Sequence, residues 1–239
     1  MRMGSETMRA ARVREPRQMT VEAVPVPIPQ EGQVRIRLSG SGVCASNLPP
    51  WEGREWFTYP LEPGGLGHEG WGVVDALGEG VTGFKIGDSV AALSQHAYAE
   101  FDVADADDVI LLPPSLADQP FPGEPLGCAM NIFRRADIRA GQTVAVVGIG
   151  FLGALLIQLA RSAGAKVLAV AHRPFAQKIA RQMGADVVIP MDDHYRIIEQ
   201  VKELTDGEFC PVVIECTGKQ WPLDLSAELC AVRGRLVIA

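Results

Sequence analysis

Thr143-Val144-Ala145-Val146-Val147-Gly148-Ile149-Gly150-Phe151-Leu152-Gly153 decides the fold. Its first five residues form a near-continuous apolar run, as expected for a strand buried on both faces. Gly148 to Gly153 then fit G-x-G-x-x-G, and the apolar pattern that follows predicts a helix over Phe151–Ser162 ending at Gly164. Lys166–Ala171 reads as the next strand. The glycine pattern alone is weak, but between a buried strand and a helix inside a βαβ unit it carries meaning. The first glycine permits a tight turn, the second lets the backbone approach a pyrophosphate at the helix N-terminus, and the third lets helix and strand pack closely. Gly148, Gly150, Phe151, Leu152 and Gly153 are therefore candidate dinucleotide-binding residues. The alternative is a glycine turn that serves packing only.

Toward the C-terminus the strand–helix alternation continues. Pro174 suits the first turn of a helix and Gly184 its end. Val187, Val188 and Ile189 form a third strand. Asp192 or Asp193 can cap a helix whose Ile197, Ile198, Val201 and Leu204 make one apolar stripe. Residues 211–216 read as a fourth strand, 222–232 as a helix and 235–239 as a fifth strand. This half is an α/β doubly wound parallel sheet. An acid at the end of the second strand would bind ribose hydroxyls and indicate NAD. Here Ala171 is followed by His172 and Arg173. The missing acid and the nearby guanidinium favour a 2′-phosphate, so NADP(H) is preferred over NAD(H). Otherwise Arg173 is only solvated.

Toward the N-terminus, residues 8 to about 125 are rich in Gly and Pro, with short β-like runs. Val34 to Leu38 alternate with period two; runs at 72–77, 88–93 and 109–112 look like further strands. The expectation is a small all-β barrel domain over 8–130 and a dinucleotide-binding domain over 131–239.

The 239 residues suffice for two ordinary domains, and 47% hydrophobic with 21% charged residues reads as globular. A formal charge of −7 argues against nucleic acid and against an anionic membrane surface. No apolar run approaches the roughly 18 to 20 residues of a membrane helix. Residues 1–7 carry no apolar signal core, so they read as a leader or upstream start, with Met8 as an alternative first residue. Five cysteines, at 44, 128, 210, 216 and 230, do not form a secreted disulfide framework, which predicts a reduced, cytoplasmic setting.

Two of those cysteines and one histidine stand apart. Cys44 lies in Gly-Val-Cys-Ala-Ser-Asn, His68 in Gly-His-Glu-Gly, and Cys128 follows Glu124-Pro125. Thiolate, imidazole and a nearby carboxylate suit a four-coordinate zinc. None has zinc-finger spacing, and a lone cysteine is more often a small core hydrophobe. The glycines around His68 are expected to leave room for its imidazole. Cys210, Cys216 and Cys230 read as core residues on strands or a helix, and His194 as part of a solvated helix face. Trp51, Trp56, Phe57 and Tyr59 line a substrate pocket or simply pack a loop.

Gly42-Val43-Cys44-Ala45-Ser46-Asn47, then residues 67–74 beginning Gly-His-Glu-Gly, then 78–90 from Gly78 to Val90, resemble the medium-chain dehydrogenase/reductase superfamily in its zinc-dependent alcohol dehydrogenase branch. Residues 212–218, ending in Thr217-Gly218, and 234–237 are similar to its later Rossmann signatures. The resemblance covers the chain from Met8. It implies a GroES-like β domain followed by a Rossmann domain, and a zinc-dependent oxidoreductase moving hydride between a nicotinamide cofactor and an alcohol or polyol or its carbonyl partner. It makes Cys44, His68 and Cys128 ligands of one catalytic zinc, and Glu69 an exchangeable ligand. It places Glu124 near the metal, Ser46 as the hydroxyl that passes the substrate proton, and Thr217 at the cofactor. Its full-length members are homodimers or homotetramers.

Three departures qualify the resemblance. Asn47 stands where the family usually has Asp behind the zinc histidine, so it is expected to support that ligand less. Pro49 stands where many members have a relay histidine. Residues 91–100 contain no cysteine, so no structural zinc is expected. The family also normally continues beyond a fifth strand, which suggests a truncated chain with 236–238 on an exposed edge. The competing readings are a metal-free quinone or enoyl reductase of the same superfamily and a non-catalytic nucleotide-binding homologue.

Overall fold

The computed structural model describes residues 6–239. Most of the suggested leader lies outside the described residues, whereas Thr7 already belongs to a strand. The chain divides into two compact units between Pro125 and Leu126.

The first unit is all-β in its core. Strands β1 (Thr7–Glu15) and β2 (Gln18–Pro25) form an antiparallel hairpin. A five-stranded antiparallel sheet follows, from β3 (Gln33–Ser41), β4 (Glu69–Leu77), β5 (Ser89–Leu93), β6 (Phe101–Asp105) and β7 (Val109–Leu111). Their order is β6-β3-β4-β5-β7, so β6 and β7 are the edges of that ladder. Alternation places Val34, Ile36, Val74, Val90 and Ala104 in one core, all nearly inaccessible. The hairpin had no clear sequence signal: β2 is exposed along most of its length and shows no buried alternation. It is tied down by pairing instead, including the Ala10–Ala99 bridge and Ala11 N–H donating to Tyr98 O at 2.8 Å.

Helix α1 (Leu48–Glu52) has proline in its first turn and ends on Gly53 in a left-handed conformation. Helix α2 (Gly123–Ala136) crosses the division between the units.

The second unit is a parallel sheet of β8 (Thr143–Val147), β9 (Lys166–Ala171), β10 (Val187–Pro190), β11 (Cys210–Glu215) and β12 (Cys230–Ile238). The order is β10-β9-β8-β11-β12, the doubly wound arrangement with its reversal at β8. Helices α3 (Phe151–Ser162), α4 (Pro174–Gln182), α5 (His194–Leu204) and α6 (Gln220–Glu228) connect the strands. Val144, Val146, Val167, Ala169 and Ile214 pack against Leu156, Ile157 and Ala180 on one face. Ala145, Val147, Leu168, Val170 and Val213 pack against Ile197, Val201 and Leu225 on the other. Both faces are covered, so the central strands are apolar throughout.

Sequence and structure differ at the C-terminal end. The expected helix over 222–232 is α6, which stops at Glu228, and Cys230 already opens β12. The reason is pairing: Cys230 sits beside Cys210 in the parallel ladder, and a register shift carries the chain to Arg235 opposite Val212. Cys230 is thus a strand residue and only half-buried, as is Cys216; Cys210 is fully buried. His194 is also half-buried, with edge-on ring contacts to Tyr195 and Trp221, and not simply solvated. Within the sheet β12 is an edge strand, with Ile238 exposed.

Candidate functional site

In the first unit, Cys44 ends the turn after β3, and His68 and Glu69 lie at the start of β4. β3 and β4 are paired neighbours, which brings these distant sequence positions together. The thiol sulfur, an imidazole nitrogen and a carboxylate oxygen of the three all lie within 4.8 Å of one another. Glu69 is buried, Cys44 and His68 half-buried. Burial pushes the Glu69 carboxyl above its ordinary value; the nearby Glu124 carboxylate adds to this, while His68 and the Cys44 thiol oppose it.

The imidazole is oriented by backbone. His68 Nδ1 is 3.1 Å from Leu66 O, and a carbonyl only accepts, so Nδ1 carries the proton and Nε2 presents its lone pair. Ser46 is exposed, with Oγ 3.4 Å from Nε2. Asn47 is buried, and its bonds go elsewhere than the expected direct contact with His68. Its Oδ1 accepts from Cys44 N–H at 3.0 Å and from Tyr98 O–H at 2.9 Å, and its Nδ2 donates to Leu66 O at 2.8 Å. It reaches His68 only through the shared Leu66 carbonyl. Tyr98, which sequence reasoning passed over, also lies 3.1 Å from Gly42 O, and burial pushes its phenol above the usual value.

Two glycines define the space. A methyl group on Gly42 would sit 1.7 Å from Glu69 Oε2. One on Gly67 would lie 2.3 Å from Tyr98 N and 2.5 Å from the Ala97 carbonyl carbon. Gly67 therefore makes room for the 97–98 backbone, and not, as expected, for the imidazole.

Cys128 lies on α2 in the second unit and is exposed. Trp56 is exposed, and Trp51, Phe57 and Tyr59 are half-buried. The Tyr59 hydroxyl donates to Pro50 O, which ties one loop position down.

The second unit holds a cavity of about 720 Å³ at the C-terminal ends of its strands. It is lined by Gly148, Gly150, His172, Arg173, Thr217 and Trp221 among others. Gly148 has φ +91°, and a side chain there would meet Thr217 Cγ2 at 2.3 Å. Gly153 faces Gly148 O at 2.3 Å from its hypothetical methyl, the close helix–strand approach. Gly150 caps α3, and nothing lies within 4 Å of where its Cβ would be. The three glycines thus divide into two that packing requires and one that keeps the cavity open. Phe151 is exposed and Leu152 packs toward the core.

Arg173 caps α4 and is exposed, while His172 Nδ1 is 3.0 Å from Met191 O. Glu215, buried at the end of β11, accepts from Thr217 N–H at 2.7 Å, from the Thr217 hydroxyl and from Gly218 N–H at 3.1 Å. It shapes the Thr217 turn against the cavity. Lys219 and Trp221 line the cavity too; both follow Thr217-Gly218, the signature the sequence does show.

Comparison with known proteins gives the family. Residues 30–114 match the family model "Alcohol dehydrogenase GroES-like domain", and residues 152–239 match "Zinc-binding dehydrogenase". The chain is 33% identical over 235 residues to an alcohol dehydrogenase of Rhizobium meliloti, covering 84% of this chain and 68% of that one. It is 32% identical over 218 residues to a quinone oxidoreductase of Pseudomonas aeruginosa, covering 88% and 65%. A mycobacterial structure solved in complex with NADPH superposes with a TM-score of 0.85 at 27% identity, covering 96% and 72%. The chain spans about two thirds of the length of the curated relatives it matches. No helix among the described residues is long and apolar enough to cross a membrane. The chain belongs to the medium-chain dehydrogenase/reductase family, as a member similar to its zinc-type alcohol dehydrogenases.

Proposed function

We propose that this chain carries the metal and nucleotide sites of a zinc-dependent oxidoreductase that moves hydride between NADP(H) and an alcohol or polyol or its carbonyl partner. The observation that carries the reading is the convergence of the Cys44, His68 and Glu69 donors within 4.8 Å. A thiol sulfur, an imidazole nitrogen and a carboxyl oxygen are donor types that zinc prefers, and three donors leave room for a further ligand. Cys128 is the additional ligand by its sequence context alone. A zinc ion held there supplies a Lewis acid that lowers the pKa of a substrate hydroxyl. Ser46, beside Nε2 and open to solvent, passes the released proton outward. Pro49 carries no titratable group, so the proton leaves Ser46 to water.

On the nucleotide side, NADP(H) supplies the hydride acceptor or donor. The backbone at Gly148, Gly150, Phe151, Leu152 and Gly153 opens α3 and suits a pyrophosphate. Gly150 supports this reading because its missing side chain leaves open space and relieves no clash. Arg173 and His172 line the same cavity with no acid at the end of β9, which favours a 2′-phosphate. Thr217 lines the same cavity. Five cysteines, an odd number without the spacing of a disulfide framework, fit a reducing, cytoplasmic setting.

The test is metal analysis of the purified chain with NADPH- and NADH-dependent turnover on a panel of alcohols, polyols and aldehydes. Bound zinc with NADPH-favoured turnover is expected. Turnover of quinones without zinc returns the metal-free reductase reading. Nucleotide binding without turnover on any panel member marks a non-catalytic homologue.

A further inference from the structure

The buried Asn47 carboxamide makes three hydrogen bonds that no step above uses. One end faces Cys44 N–H, which can only donate; the other faces Leu66 C=O, which can only accept. The amide orientation is therefore fixed by its partners: Oδ1 toward Cys44 and Nδ2 toward Leu66. The Leu66 oxygen is shared, accepting from Asn47 Nδ2 at 2.8 Å and from His68 Nδ1 at 3.1 Å. One side chain thus holds the backbone of one metal donor and the carbonyl that orients another. Tyr98, half-buried, has one hydroxyl proton for two acceptors, Asn47 Oδ1 at 2.9 Å and Gly42 O at 3.1 Å, and anchors Asn47 through the shorter of the two.

We propose that Asn47, anchored by Tyr98, is a positioning residue that clamps Cys44 and His68 into one metal-binding geometry, and that it can do so only as a carboxamide. This rests on the metal reading above. An aspartate would keep the bond from Cys44 N–H but lose the donation to Leu66. It would set a carboxylate oxygen against a carbonyl oxygen, freeing that carbonyl to move with the His68 ring. Asn47 is then not a weakened form of an aspartate but the residue this backbone requires.

The test compares wild type, Asn47→Asp and Tyr98→Phe in the full chain. Zinc affinity is measured by chelator competition, metal geometry by the visible spectrum of the cobalt-substituted protein, and the His68 tautomer by ring nitrogen shifts without metal. Asn47→Asp is expected to weaken zinc by about 10- to 100-fold, the range typical for outer partners of metal ligands. It should also shift the cobalt spectrum and move His68 away from a single Nδ1–H tautomer. Tyr98→Phe keeps the ring and removes only the hydroxyl, and should produce the same changes at smaller size. Wild-type zinc affinity, cobalt spectrum and His68 shifts in Asn47→Asp would overturn the proposal. A wild-type chain that takes up no metal removes the metal reading, and the His68 shifts of the metal-free proteins then decide the clamp alone.

Discussion

The cavity of the second unit is assembled from the ends of regular parallel strands, whereas the donor cluster of the first is assembled from turns. Gly148, His172, Met191 and Cys216 reach the cavity because each follows a strand of the same sheet. Cys44 and Glu69 meet because β3 pairs with β4, and then only because Gly42 has no side chain and Asn47 joins two turns. The first kind of site is a consequence of topology. The second depends on individual contacts between residues far apart in sequence, and single atoms can undo it.

Gly42→Ala should break that contrast most sharply. Its methyl would overlap Glu69 Oε2, so the carboxylate must leave the cluster. Zinc affinity should fall by about 100-fold or more, measured by chelator competition. Retained affinity would show that Glu69 is not needed.

Gly150→Ala probes the other unit. The methyl meets no protein atom, so stability should change by less than about 0.5 kcal/mol in urea unfolding. Affinity for NADPH should nevertheless fall by about tenfold or more, because the methyl occupies the space a pyrophosphate needs. Equal loss of stability and binding would mean the position serves packing. Arg173→Ala is expected to reduce the preference for NADPH over NADH by roughly tenfold, the worth of one charge-assisted phosphate contact. An unchanged ratio of dissociation constants would place the 2′-phosphate elsewhere.

The smallest effect concerns two cysteines of the second unit. Burial pushes the Cys210 and Cys216 thiols up from 9.0 to about 12. Their folded values lie above the unfolded ones, so their contribution is complete below pH 9 and fades as pH rises toward 12. At pH 10 each thiol should cost about 1 kcal/mol of stability relative to neutral pH. Urea midpoints at pH 8 and 10, for wild type and Cys216→Ala, check this: the variant should lose less.

The same contrast explains what was legible. The apolar run before Gly148, Pro174 at the first turn of α4 and Asp193 capping α5 act within a few residues of themselves. Asp193 accepts from Arg196 N–H, as its position before an apolar stripe predicts. The edge strand was harder. Cys230 lies in β12 because Cys210 of β11 runs beside it, a partner no local pattern shows. Strand β2 was missed for a related reason: it is exposed along most of its length and pairing with β1 holds it, while β1 alone buries Met8, Ala10 and Val13.

By itself the sequence determined the order of elements in residues 126–239 and the glycine turn, because periodicity and caps are local properties; Cys44, His68, Cys128 and Glu69 were candidates through the family resemblance and not through their spacing. Only the tertiary structure decided that Gly67 admits the 97–98 backbone, that Glu215 shapes the Thr217 turn and that Asn47 joins Cys44 to Leu66 with Tyr98 behind it. Most of these depend on hydrogen-bond direction and on atoms brought within a few ångströms by strand pairing, which residue type and spacing do not encode.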